Sequence, residues 1–197
     1  MKDKVRRRED ILRAARVVFA TKGYHEAKVE DIAVAANVAK GTFYLYFRDK
    51  RSILDEVMNR ILVLLQGAVL KVDPRAEIAP QVKHNIRGVV GLFLDDPTLP
   101  PLLLSPLAGV DPEHQQRLDV FFDNLRSVLE ASLTEGQSLG IVAPGDAHLY
   151  ACFALGALKE ILREAPETRR SREEIVNVLF QMLCVGFLRV EGPARQD

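Results

Sequence analysis

Val29-Glu-Asp-Ile-Ala-Val-Ala-Ala-Asn-Val-Ala-Lys-Gly-Thr-Phe-Tyr-Leu-Tyr-Phe47 is the stretch whose reading decides the fold. At 100° per residue, Val29, Ile32, Ala33 and Ala36 share one stripe, which predicts a short helix with an apolar face to bury. Asn37 follows, a residue that tolerates the left-handed backbone a sharp exit needs. Lys40 to Phe47 then starts a second helix. Two short helices joined by a few residues form an arrangement that reads DNA.

The second helix divides into two faces. Phe43 and Phe47 lie four apart and turn inward. The opposite face presents Gly41, Thr42 and Leu45, flanked by Lys40 and Tyr44 on one shoulder and Tyr46 on the other. Lysine neutralises phosphate, hydroxyls bond phosphates or base edges, and leucine can touch a thymine methyl. Gly41 lets the backbone approach closely. Four rings on a two-turn helix cannot all face one core, so the two tyrosines are expected outside.

The surrounding pattern is helical throughout. A first helix is predicted over Lys4–Lys22, with Ile11, Leu12, Ala15, Val18 and Phe19 inward and Gly23 ending it. A long helix is expected from Asp49 to Val72, stopped by Asp73-Pro74. It is the one predicted element that belongs to both halves of the chain. Another spans about Pro80 to Asp95, with Asp95-Asp96 read as a helix end passing into a turn. The stretch Asp95–Pro112 holds five prolines, at 97, 100, 101, 106 and 112, and is expected to form one short helix plus loops. Asp111-Pro112-Glu113 is a strong helix start, opening a helix to about Gly140. Two further helices follow, from Pro144-Gly145-Asp146 to about Glu164 and from about Ser171 to Val190. No strand alternation is visible, and the fold class is all-α.

Gly23-Tyr24, Val29-x-x-Ile-Ala33 and Lys40-Gly-Thr-Phe-Tyr-Leu-Tyr-Phe47, followed by Lys50 and Leu54, resemble the tetracycline-repressor (TetR) family of bacterial transcriptional regulators. The resemblance covers about the first quarter of the chain. It implies an N-terminal three-helix helix-turn-helix DNA-binding domain, here residues 1–51, followed by a helical ligand-binding and dimerisation domain, residues 52–197. It further implies that Lys40, Gly41, Thr42, Tyr44, Leu45 and Tyr46 face DNA and that Lys50 contacts phosphate. The chain departs from the family where Ala27, Lys28 and Ala39 replace Thr or Ser and Asn37 replaces Gly. Two helix caps should be weakened, by about 1 kcal/mol each. Lys28 can supply a phosphate contact by charge, and Asp31 can reinforce the helix start.

Formal net charge is zero over 197 residues, but it is unevenly placed. Residues 1–51 hold thirteen Lys/Arg against seven Asp/Glu, a net +6, and the remainder carries the compensating −6. That asymmetry suits a DNA-binding head on an acidic body. Lys2, Lys4 and Arg6 to Arg8 read either as an arm reaching DNA or as a solvated helix start. The longest apolar run, Ile61–Leu70, is too short for a membrane span, and no signal peptide is visible. A cytoplasmic protein is expected, with Cys152 and Cys184 as buried thiols.

The last two helices are apolar nearly all round, which implies a partner helix and a homodimer built through them. Leu183→Glu is expected to break such a dimer. Two reading heads would then meet successive major grooves about 34–36 Å apart on a palindromic operator in double-stranded DNA. Met58, Ile61, Leu62, Leu65, Phe93, Phe121, Phe122, Leu125 and Phe153 read either as an apolar pocket or as ordinary core. His84, Asn85, Arg87 and Asn124 are candidate polar anchors. A pocket implies a small hydrophobic effector, an acyl chain or an aromatic compound. No catalytic, metal-binding or cofactor motif is present, and His25, His84, His114 and His148 are scattered. The reading is a repressor released from DNA by its effector. A co-repressor-dependent or activating regulator, a binding protein without DNA activity and an unfamiliar hydrolase are the alternatives.

Overall fold

A computed structural model of the chain describes residues 2–104, 111–168 and 170–186. Among these are the helices α1 (Lys2–Lys22), α2 (Val29–Ala35), α3 (Lys40–Tyr44), α4 (Lys50–Gly67), α5 (Ile78–Asp95), α6 (Leu99–Leu103), α7 (Pro112–Ser138), α8 (Ala147–Thr168) and α9 (Arg172–Gly186), with no β-strand. The expected position of Pro106 and the expected end of the last helix at Val190 lie outside the described residues.

The chain forms two compact units, one of Met1–Leu64 with Asp96–Phe121, the other of Leu65–Asp95 with Phe122–Asp197. Both α4 and α7 contribute residues to each unit, whereas the sequence pointed to the long helix alone.

In the first unit α1 packs on α2 and α6, and α2 on α3. The stripe read from α1 is buried, with Ile11 and Ala15 fully enclosed. The chain leaves α1 through Gly23, whose φ of +77° is a left-handed turn that a β-carbon disfavours. α4 begins with a reciprocal cap: the Ser52 N–H donates to the Asp49 carboxylate at 2.7 Å and the Asp49 N–H to the Ser52 hydroxyl at 3.2 Å. Asp111 caps α7 as expected, its Oδ1 accepting from the N–H groups of Glu113 and His114 at 2.9 and 3.0 Å.

In the second unit α5 and α8 both pack on α9. α4 ends at Gly67, five residues before the expected Val72, because α5 captures the following backbone. Asn85 accepts from the Leu70 N–H and donates to its carbonyl, at 2.9 and 2.8 Å. Gln81 does the same to Asp73, at 2.8 and 3.0 Å. Backbone groups that would extend a helix are thereby satisfied by side chains instead. Gly88 permits the approach, since a β-carbon there would lie 2.7 Å from the Ala68 carbonyl oxygen. Leu133, Val142 and Ala151 form a core cluster, with Leu129, Ala154 and Leu183 packed against it.

Candidate nucleic-acid interface

α2 and α3 are joined through Asn37, which adopts φ +53°, as its side chain allows. Val38 N–H returns to the Ala33 carbonyl at 2.9 Å and closes the turn. Ile32, Ala33, Phe43 and Phe47 are buried behind it. Phe43 and Phe47 pack with ring centres 5.8 Å apart and planes tilted by 40°, and the Arg8 guanidinium lies 5.0 Å over the Phe47 ring. α3 is shorter than the expected Lys40–Phe47. Beyond Tyr44 the ladder tightens, Leu45 and Tyr46 N–H bonding the carbonyls of Thr42 and Phe43 three residues back.

On the outer side, Lys28, Lys40, Gly41, Tyr44 and Leu45 are exposed, while Thr42, Tyr46 and Lys50 are half-buried. Leu45 is 76% exposed, a large apolar group that no core accounts for. Neither helix start has a side-chain cap: Lys28 and Ala39 occupy the two N-cap positions. Asp31 compensates at α2 by accepting from the Lys28 N–H at 3.0 Å, a direct bond as well as a charge at the positive helix end. Lys22 at 2.7 Å, then that N–H, hold the Asp31 carboxyl below the usual carboxylate range.

Two of the cations are already engaged. Lys40 pairs with Glu30, which raises the lysine and lowers the carboxyl. Lys50 Nζ donates to the carbonyls of Tyr24 and His25 at 2.7 and 3.2 Å and stands 4.3 Å over the Tyr24 ring. Around it lies a set of contacts that local sequence patterns do not disclose. Tyr24 donates its hydroxyl to Glu113 at 3.2 Å, Arg51 pairs with the same Glu113, and His25 Nδ1 lies 3.1 Å from Asp111. The capping motif Asp111-Pro112-Glu113 is legible, but its partners stand 62 to 89 residues away.

Residues 11–57 match the sequence profile of bacterial regulatory proteins of the tetR family. The uncharacterized HTH-type transcriptional regulator YdgC of Bacillus subtilis is 41% identical over 146 residues, covering 71% of each chain. The chain belongs to the TetR family of bacterial transcriptional regulators. The fatty acid metabolism regulator protein of Bacillus subtilis is 28% identical over 165 residues, 81% of this chain and 84% of its own. The structure of the regulator FadR of Bacillus subtilis in complex with stearoyl-CoA superposes with a TM-score of 0.75 at 25% identity, over 90% of this chain and 98% of that one.

As a TetR-family member the protein is a DNA-binding regulator and not an enzyme. Its expected pocket residues fall in both units. Met58, Ile61 and Phe121 are buried and Leu62 is half-buried in the first. Leu65 and Phe93 are buried, and Phe122 and Leu125 half-buried, in the second. Phe153 is 46% exposed. Lys159 Nζ sits 3.8 Å over the Phe122 ring. An open groove along α7 is lined by Ser127, Glu130, Ala131, Thr134, Glu135 and Ser138, and none of the expected pocket residues contributes to it.

Of the candidate anchors, Asn85 is bound to Leu70, and Arg87 forms a bidentate pair with Glu173 at 2.8 Å on both arms. Both have structural work within their own unit. His84 and Asn124 are exposed. The cysteines depart from expectation: Cys152 is exposed and Cys184 half-buried, because each lies toward the outer side of its helix. Among the described residues no helix is long and apolar enough to cross a membrane, and no group of three His, Cys, Asp or Glu is placed to hold a metal ion.

Proposed function

We propose that this regulator binds a palindromic operator as a homodimer and is released from it by a small hydrophobic effector, most simply a long-chain acyl thioester. The observation that carries the DNA half is the outward face of α3. A helix whose phenylalanines are sealed behind it leaves Lys40, Gly41, Tyr44 and Leu45 exposed, a set suited to phosphates, base edges and thymine methyls. Thr42, Tyr46, Lys28 and Lys50 complete the reading. Lys40 would exchange Glu30 for phosphate, so binding replaces one ion pair with another.

Residues 1–51 are assigned to DNA and residues 52–197 to effector and pairing. Pairing through α8 and α9 is supported by their exposed apolar groups Leu149, Phe153, Val178, Met182 and Val185. The acyl reading is supported by similarity to the fatty acid metabolism regulator protein and to the FadR structure in complex with stearoyl-CoA. Binding of the effector favours a state whose two heads no longer fit adjacent grooves, with α4 and α7 as the helices that have residues in both units. Near-complete release requires about a 10⁴-fold preference of the effector for that state. Such a protein works in the cytoplasm, where the DNA is.

A gel shift on the natural upstream region tests both halves. Tyr46→Ala should cost about 1–3 kcal/mol of operator affinity, and a long-chain acyl-CoA should release the wild-type complex where free CoA does not. Unchanged affinity removes the contact assignment. Indifference to acyl-CoA removes the effector class.

A further inference from the structure

Two neighbouring carboxylates lie in the first turn of α2, and the fold uses them differently. Asp31 is half-buried and accepts from the Lys28 N–H at 3.0 Å and from Lys22 at 2.7 Å. Glu30 is exposed and pairs with Lys40, the first residue of α3 and part of its outer face. The Lys40 and Glu30 side chains are 53% and 55% exposed, so the pair seals no core and adds little to the fold. What it does is set an acceptor-only group beside the side chains offered to the major groove. When phosphate takes Lys40, Glu30 loses its partner while facing a polyanion. A bare carboxylate there opposes binding to every sequence. That cost is lifted only where the groove supplies a hydrogen-bond donor. Two bases show one there, cytosine through N4 and adenine through N6. The adenine amine stands beside the N7 acceptor, which repels a carboxylate, whereas cytosine presents its donor alone.

We propose that Glu30 is a specificity-determining residue of the operator complex, accepting a hydrogen bond from the N4 amine of one cytosine in each half-site. This rests on the reading of α3 as the DNA-facing helix. Lys40 and Glu30 then act as a single exchange. Off DNA they neutralise each other; on the operator the lysine meets phosphate and the carboxylate meets cytosine. On other sequences the lysine makes the same exchange, but the carboxylate stays bare. Discrimination comes from that penalty as well as from the bond gained. One residue thereby weakens non-specific binding and sharpens the choice of site. Glu30 is absent from the residues expected at DNA because a carboxylate, taken singly, is repelled by phosphate. Its contact with Lys40 is what gives it a place there.

The test selects binding sites from a pool of randomised duplexes with the whole wild-type chain, Glu30→Ala, Glu30→Gln and Tyr46→Ala in parallel. Each chain is then titrated with the wild-type operator so obtained and with a scrambled duplex. The wild-type motif should hold one cytosine per half-site that Glu30→Ala no longer requires, the other positions being kept. Glu30→Gln should move that position to adenine, whose N6 and N7 an amide matches. On the scrambled duplex Glu30→Ala should bind about three- to tenfold tighter, with a salt slope steeper by about 0.9 per chain. On the operator that gain should be absent, so the ratio of specific to non-specific affinity falls about tenfold. Equal gains on both duplexes with an unchanged motif overturn the proposal and leave Glu30 as a charge that masks Lys40. Weaker binding to both duplexes, or a cytosine still required by both Glu30 variants, overturns it as well. Should Tyr46→Ala keep the wild-type motif and affinity, the reading of α3 falls, and the Glu30 motifs still decide the carboxylate on their own.

Discussion

Tyr24 gathers more of the first unit's polar contacts than its place in the six-residue connection from α1 to α2 would suggest. Its ring is 3% exposed and packs at 5.5 Å on Phe19 and 5.6 Å on His114, while its hydroxyl reaches Glu113. Burial first, then the Glu113 charge and hydrogen bond, push its phenol from 10.0 to about 12. The folded chain therefore keeps a proton that the unfolded chain gives up near pH 10. The stabilisation is fully present below that pH and is lost as pH climbs toward 12. Unfolding free energies from urea denaturation should fall over that window by an amount on the order of 2 kcal/mol, and Tyr24→Phe should remove this part of the fall. An identical pH slope in the variant would show that another group is responsible. Tyr24 and the outer face of α3 illustrate opposite kinds of legibility. The inward Phe43 and outward Leu45 follow from spacing alone. The partner of Tyr24 does not, because nothing in residues 20–28 names a carboxylate at position 113.

At the scale of elements, most helix starts were written locally, and most corrections fall at helix ends. Asp111-Pro112, Asp49 with Ser52, and Gly23 are all capping or stop signals that work through neighbouring backbone groups. The early end of α4 could not be read this way. Gln81 and Asn85 look like solvated polar residues in the sequence, yet they take the backbone of Asp73 and Leu70. The shortening of α3 likewise reflects a tightened last turn rather than a breaker residue. Gly23 makes the most direct test of a local signal, since its φ of +77° is costly for any residue with a β-carbon. Gly23→Ala should lower unfolding free energy by about 1–2 kcal/mol, as measured by urea denaturation. No loss would mean that the turn can reach a negative φ without disturbing α2.

At the scale of the whole molecule, burial revises which residue tests the pairing reading. The sequence points to Leu183, because the last helix is apolar nearly all round. It is half-buried and packs against the Leu133–Val142–Ala151 cluster. A charge there would act on that core, so Leu183→Glu should lower the melting temperature. Phe153 is 46% exposed on the outward face of α8. Phe153→Glu should keep the helical circular dichroism and melting behaviour of a folded chain while converting a sedimenting dimer to a monomer. A Phe153→Glu dimer would put the contact on another surface.

The sequence by itself determined the all-α class, the helix-turn-helix and the family, because each depends on periodicity and on residues a few positions apart. Hydrophobic spacing sets which face must be buried, and capping groups act over one turn, so both are written in order along the chain. Only the tertiary structure decided that the start of α7 joins the first unit through Glu113, that Asn85 ends α4, and that Cys152 faces outward. Those outcomes depend on which helices meet. Hydrogen bonds and ion pairs between residues 15 to 89 positions apart are created by that packing, and no local pattern encodes them.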